Sequence, residues 1–263
     1  MTDKTASQLN FFSTIKVGGW TLVSRVAGLI RDIFTTNLLG ASIFHDIFVV
    51  VLKIPNVFRK LFAEGAFSQA FIPIYSEYIG SKDEKGSQDF LNALFGILLS
   101  ALFIFTTLAL LFAPVFILIF APGFYFDIQK QDLAVSLLRI MFPYLALISL
   151  VAFAAGIQNS HNKFSIPALT PLIFNLSLIG SAWLVAPKID IPVMALAWGV
   201  LLAGFLQLLF QIAPLASIKK IPVPKIDFQN PGVKKFFILI LPAIVAGGIA
   251  QINLLVDTIF ASL

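Results

Sequence analysis

Apolar positions run through this chain in long, nearly unbroken stretches separated by short polar segments. Residues 90–126, 140–160, 164–187, 191–218 and 236–256 contain no charged side chain. Each stretch reaches the roughly 20 residues that a helix needs to cross about 30 Å of hydrocarbon, so five spans follow from length alone. Two further apolar segments, residues 11–39 and 44–79, are long enough to span but carry charges. The first is interrupted by Lys16, Arg25, Arg31 and Asp32, and the second by Asp46, Lys53, Arg59, Lys60, Glu64 and Glu77. The pattern predicts an all-α polytopic transmembrane helix bundle of about seven helices. Prolines inside the runs, at Pro55, Pro73, Pro143, Pro167, Pro171 and Pro242, each remove a backbone donor and predict bent segments.

The polar connections are short, at Gly40 to Ile43, Ser81 to Asp89, around APGFYFD, QNSHNK from Gln158 and PKID from Pro187. One is longer. SIKKIPVPKIDFQNPGVKK from Ser217 has three prolines, an Asn-Pro-Gly turn and five lysines, and reads as a linker between units. The expected division is a six-helix lobe over 1–218, a cytoplasmic linker over 219–232, and over 233–263 the first helix of an incomplete second lobe.

With 59% hydrophobic and 12% charged residues and a mean hydropathy of +0.95, the 263-residue chain is far more apolar than a soluble domain. It has no cysteine, and only His45 and His161 as histidines, which excludes disulfide, thiolate and histidine-cluster chemistry. MTDKTASQLN and the run after it lack a cleavage-site pattern, so no removable signal peptide is expected. The net charge of +5 changes meaning once the lysines are placed. With the N-terminus cytoplasmic, Lys4, Lys16, Lys82, Lys85, Lys163, Lys219, Lys220, Lys225, Lys234 and Lys235 lie on the cytoplasmic side, against Lys130 and Lys188 opposite. That asymmetry sets the orientation, and no nucleic-acid partner is expected.

The remaining cations, Arg25, Arg31, Lys53, Arg59, Lys60 and Arg139, fall at membrane depth. A cation facing lipid there costs about 2.5–3.5 kcal/mol on insertion scales, so the first two helices should face a wet interior. Asp46, Lys53 and Lys60 are spaced by sevens, with Glu64 four further on, which predicts one charged stripe down the second helix. Arg25 and Asp32 share a face of the first helix, and Arg31 lies roughly 100° around from Asp32, free to turn toward a neighbour or a cavity. Ser24 and Gly28 form a small-xxx-small pair that lets another helix approach beside the arginines. The carboxylates Asp32, Asp46 and Glu64 leave two excess positive charges against Arg25, Arg31, Lys53, Arg59 and Lys60. A diphosphate fits that inventory, since guanidinium groups fork onto phosphate oxygens and lysines add mobile point charges. The alternative is a salt-bridge network that only holds the two helices together, with Lys60 and Glu64 satisfying each other at i,i+4. Arg139 reads as a snorkelling interfacial residue, Glu77 as part of a solvated face, and His45 as interfacial. The 28 phenylalanines read as lipid-facing and packing surface. No GxGxxG, GxxxxGK, HExxH or acidic metal motif is present, so no enzyme chemistry is expected.

SRVAGLIRD at Ser24–Asp32 and KIPNVFRKLFAEGAFSQAFIPIYSEY at Lys53–Tyr78 closely resemble the MurJ (MviN) family of lipid II flippases in the MOP exporter superfamily. The resemblance continues through FPYLALISL at Phe142, NKFSIPALTPLIFN at Asn162, ALAWGVLLAGFLQLLFQ at Ala195 and the final QINLLVDTIFASL, covering essentially the whole chain. It implies a MOP/MATE-like lobe, a V-shaped cavity between two six-helix lobes that alternates its opening, and transport of lipid II across the bacterial cytoplasmic (inner) membrane. By that resemblance Arg25, Arg31, Arg59 and Lys60 are the substrate-binding cations and Asp32, Asp46 and Glu64 organise or gate them; the charge inventory adds Lys53 to the binding set as supporting positive charge. Many relatives have arginine where Lys60 stands, which weakens a forked phosphate contact at that position. RDIFTTNLLG and VDTIFASL form a short internal echo, with Asp32 and Asp257 in matching places. In some relatives a helix-seven aspartate binds sodium, which implies Asp257 as a sodium ligand whose companions lie beyond this chain. Coupling to a sodium ion or the membrane potential, and pairing with a separate C-terminal half, are further implications. The alternatives are another MOP-type exporter, for lipid-linked polysaccharide or amphipathic cations, and a non-transporting membrane scaffold. A basic cavity disfavours a cation exporter.

Overall fold

The computed structural model describes the backbone of residues 2–125 and 127–260, and side-chain surroundings for 17–60, 65–124, 127–248, 251, 256–257 and 259–260. All regular structure in the described residues is helical. α1 spans Thr2–Leu39 and stops at Gly40, whose φ of 61° suits glycine and whose N–H donates to the Thr36 carbonyl at 2.7 Å. α2, Ile43–Phe58, runs through a π-helical stretch, Arg59–Ala66, into α3, Phe67–Gly80. α4 is Glu84–Leu111, followed by the short α5, Ala113–Phe120, and α6, Pro122–Tyr125. α7, Ile128–Met141, and α8, Pro143–Ser160, form one long segment stepped at Phe142. α9 is Ser165–Gly180 and continues π-helically through Ser181–Val185; α10 is Pro192–Ser217 and α11 is Pro231–Phe260.

Among the described residues, five helical segments are long and apolar enough to cross a membrane: Glu84–Leu111, Ile128–Ser160, Ser165–Lys188, Pro192–Ser217 and Pro231–Gly248. Each overlaps one of the five charge-free runs. With α1 and the α2–α3 segment they make seven long helical segments, and α5 and α6 are an addition that the continuous run over 90–126 concealed. The helix starts follow local chemistry. Asp83 accepts from the Gly86 N–H at 2.8 Å at the start of α4, and Asp127 accepts from the Gln129 and Lys130 N–H groups at α7. α8, α10 and α11 instead begin on Pro143, Pro192 and Pro231, where the missing N–H is no loss.

Two apolar clusters hold the bundle. The first joins α2, α5, α7, α8 and α10, with Phe58 set among Phe105, Phe116, Phe120 and Phe142 at ring separations of 5.3–6.1 Å. The second joins α3, α4, α8 and α11 around Phe67, Phe71, Phe90 and Phe153. Phenylalanines therefore supply core packing, while Phe103, Phe205 and Phe260 remain exposed on the outer surface. Arg139 is exposed and donates Nε to the Leu110 carbonyl in the last turn of α4, a placement suited to a snorkelling residue. Glu77 is exposed as expected, but it also pairs with Lys235 and so ties α3 to the start of α11.

The lysine-rich connection between α10 and α11 is laid along α4. Lys220 Nζ donates to Ser87 Oγ at 3.2 Å and Gln88 Nε2 to the Ile221 carbonyl at 3.2 Å. The Val223 N–H donates to Asn92 Oδ1 at 2.8 Å and the Lys225 N–H to the Asn92 carbonyl at 3.1 Å. Residues 88, 92 and 96 share one face of α4. A Cβ at Gly96 would stand 2.3 Å from the Lys225 carbonyl oxygen, so only glycine lets the strap lie this close.

At the neighbouring end of α8 the Tyr75 hydroxyl and His161 Nε2 are 3.0 Å apart. Burial, and secondarily Lys220, lower the His161 pKa below its ordinary 6.5. The unfolded chain therefore takes up this proton at a higher pH than the folded one, so the folded state loses stability as pH falls below 6.5. Thermal unfolding in detergent from pH 7.5 downward should show that decline, and a His161→Gln chain should show less of it.

Candidate anion-binding cavity

A cavity of about 800 Å³ opens between α1, α2, α8, α9 and α10. Along α2 its lining follows the helical repeat through His45, Val49, Leu52, Asn56 and Arg59, with Phe48 and Lys53 at its edges. From α1 come Gly28, Arg31, Asp32, Thr35 and Thr36, and from α9 come Thr170, Phe174 and Asn175.

Arg31 is held by three hydrogen bonds. Its Nη2 and Nε donate to Asp32 Oδ1 at 2.6 and 3.0 Å, and its Nη1 donates to Asn175 Oδ1 at 3.0 Å. The guanidinium carbon also lies 5.9 Å from the centre of the Phe174 ring, a cation–π distance. Asn175 Nδ2 in turn donates to the Ser24 carbonyl at 2.9 Å, so one amide grips α1 at two levels. The expected close approach beside Ser24 and Gly28 is thus made by α9. Gly28 tolerates it without being squeezed, because an added Cβ would stay 3.6 Å from Asn175. Three of the five guanidinium N–H groups make these bonds, which fixes the plane of Arg31 and leaves donors for a ligand. Arg59, half-buried, donates Nε to Asn56 Oδ1 at 3.2 Å.

The cavity brings together Arg31, Asp32, Lys53 and Arg59, and so keeps two excess positive charges in one lined space. Arg25 is exposed on α1 and lies outside the lining, as do exposed Asp46 and Lys60 on the α2–α3 segment. The expected stripe through Asp46, Lys53 and Lys60 is displaced for two reasons. The cavity-facing line is centred on His45 rather than Asp46, a rotation of about 100°. Lys60 follows the lining residue Arg59 by one position, about 100° around the helix, and from Arg59 onward the helix closes i→i+5, which breaks the seven-residue register toward Glu64. The Glu64 side chain lies outside the described residues, and with it the Lys60–Glu64 pair. Asp257 is exposed on α11, and no group of three or more His, Cys, Asp or Glu that could hold a metal occurs among the described residues.

His45 departs from the interfacial expectation. It is half-buried, lines the cavity, and its Nδ1 is enclosed without a hydrogen-bond partner. Sequence reasoning also passed over Asn56, Asn175, Thr170 and Gln207, because neutral polar side chains leave no mark in a charge pattern. Their signal was available as amides and a hydroxyl inside apolar runs, where a lipid-facing position is costly.

A family model described as lipid II flippase MurJ matches residues 35–263. The lipid II flippase MurJ of Burkholderia cenocepacia is 38% identical over 256 residues, covering 96% of this chain and 50% of that protein. A probable lipid II flippase MurJ from Buchnera aphidicola of Acyrthosiphon pisum is 41% identical over 249 residues, 95% of this chain and 49% of its own length. Another, from Vibrio cholerae, is 38% identical over 269 residues, 100% of this chain and 51% of its own length. The chain thus spans about half the length of the curated relatives it matches.

Proposed function

This chain belongs to the lipid II flippase MurJ family, and from that premise we propose that it forms the N-terminal lobe of a transporter carrying lipid II across the bacterial inner membrane. The observation that carries the proposal is the pair of excess positive charges in a cavity walled by membrane-crossing helices. Arg31, held flat by Asp32 and Asn175, presents a fork to phosphate oxygens, Arg59 presents a second guanidinium, and Lys53 adds a mobile charge. Asp32 orients Arg31 and keeps the site from being so cationic that the ligand could not leave. Arg25, Lys60, Asp46 and Glu64 act from outside this lining, as contacts or gates in the complete transporter. The translocation is a change of access and needs no covalent chemistry, so the chain is not an enzyme. The bound head group biases the two access states through its different affinity for each. The N-terminus lies on the cytoplasmic side, a reading supported by the lysine asymmetry. Residues 1–218 form the lobe, 219–232 the connection, and α11 begins a second lobe supplied by a C-terminal half. The change of access is driven by a sodium ion or by the membrane potential.

The test is retention of undecaprenyl diphosphate by the purified chain against the uncharged isoprenoid alcohol. The diphosphate should be preferred and the preference should shrink as salt rises. Equal retention of the two lipids would sink the diphosphate reading.

A further inference from the structure

Toward the α8–α9 end of the cavity the lining turns from charged to neutral and polar, with Thr170, Gln207 and Asn159. Gln207 is 2% exposed and donates Nε2 to the Thr170 main-chain carbonyl at 2.9 Å. The Thr170 hydroxyl accepts from Gln211 Nε2 at 2.8 Å and donates to the Ile166 carbonyl at 3.1 Å. Gln211 Oε1 accepts from Gln158 Nε2, so the amides link α8, α10 and α9 in one relay. Every amide nitrogen in the relay is engaged, yet Gln158 Oε1 and Gln207 Oε1 are enclosed without a donor. Turning the Gln207 amide over would only set its oxygen against the Thr170 carbonyl.

An enclosed carbonyl without a partner costs about 1–3 kcal/mol. Of the two, Gln207 lines the cavity and Gln158 does not, so a donor for Gln207 can come from whatever fills that space. Thr170 precedes Asn175 by five residues on α9, which sets this amide about 7.5 Å along the helix from the one that holds Arg31. We propose that Gln207 forms a neutral, donor-seeking subsite beside the diphosphate site, and that it accepts a hydroxyl or amide N–H from an uncharged sugar attached to that diphosphate. This rests on the diphosphate reading above. The bond from Nε2 to Thr170 fixes the amide plane, and a small movement of the wall uncovers the enclosed Oε1 to the ligand. A bare isoprenoid diphosphate offers no donor at this level, whereas a glycosylated one offers several.

The experiment compares lipid II with undecaprenyl diphosphate binding to the purified chain by native mass spectrometry, for the wild type and for Gln207→Met. The wild type should prefer lipid II, and Gln207→Met should weaken lipid II by about 5- to 10-fold, the loss of one net hydrogen bond, with undecaprenyl diphosphate unchanged. Unchanged lipid II affinity in Gln207→Met, or equal weakening of both lipids, would overturn the subsite and leave water as the partner of Gln207. If Gln207→Met does not insert, the wild type decides: equal affinity for the two lipids overturns the subsite. A wild-type chain that binds neither lipid overturns the diphosphate reading itself, and the subsite with it.

Discussion

Replacing Arg31 with alanine should weaken binding of undecaprenyl diphosphate by about 10- to 150-fold, the value of one hydrogen bond to a charged group. The size of the effect follows from how the side chain is held. Two bonds to Asp32 Oδ1, one to Asn175 Oδ1 and the Phe174 ring fix the guanidinium before any ligand arrives. Little side-chain freedom is then lost on binding. Arg31→Lys should fall between the two, because it keeps the charge and loses the fork. Membrane insertion and helix content should be unchanged in both variants, since Asn175 retains its bond to the Ser24 carbonyl. Wild-type affinity in Arg31→Ala would remove Arg31 from the site.

The second large effect is expected away from the cavity, at Gly96. A methyl group there would stand 2.3 Å from the Lys225 carbonyl oxygen and 2.6 Å from its nitrogen, and both are backbone atoms that no rotamer change can move. The strap must lift, and with it the bonds from Val223 and Lys225 to Asn92. Overpacking of this kind costs about 1–3 kcal/mol, so Gly96→Ala should raise the open population of the strap by about 5- to 150-fold. Limited trypsin cleavage after Lys220 and Lys225 reads that population directly, provided opening is fast relative to cleavage. Asn92→Ala should act in the same direction and less strongly, because it removes the side-chain bond to Val223 and keeps the main-chain bond to Lys225. Cleavage of Gly96→Ala at the wild-type rate would contradict the close packing of strap and α4.

The membrane spans were legible because lipid imposes a one-dimensional rule: a stretch that crosses it must stay apolar for its whole length. The runs over 164–187 and 191–218 announce α9 and α10 in that way, and charges inside otherwise apolar stretches announce that α1 and α2 face something wet. Which charges face it was not legible. The seven-residue spacing of Asp46, Lys53 and Lys60 is real, but the side of α2 that turns inward is set by packing against α7 and α8, one residue away. The π-helical closure from Arg59 to Ala66 then resets the angular register, and nothing in RKLFAEGA marks that change beyond Pro55 one turn earlier. The strap was hidden for a different reason. Its contacts with α4 are mostly main-chain, so the lysines and prolines that suggest a loose linker carry no information about Gly96. Asn175 and Gln207 were missed because an amide is as useful as a charge in a dry wall, yet leaves the charge count unaltered.

The most direct measurement joins this chain to the C-terminal half of the Burkholderia cenocepacia relative and expresses the hybrid in cells depleted of their own lipid II flippase, with outer-leaflet lipid II labelled. Outer-leaflet labelling and growth are expected with the wild-type lobe, and neither with Arg31→Ala at equal insertion. Rescue by both forms would contradict a diphosphate site built on Arg31, and rescue by neither, with both inserted, would contradict the assignment of this lobe to lipid II transport.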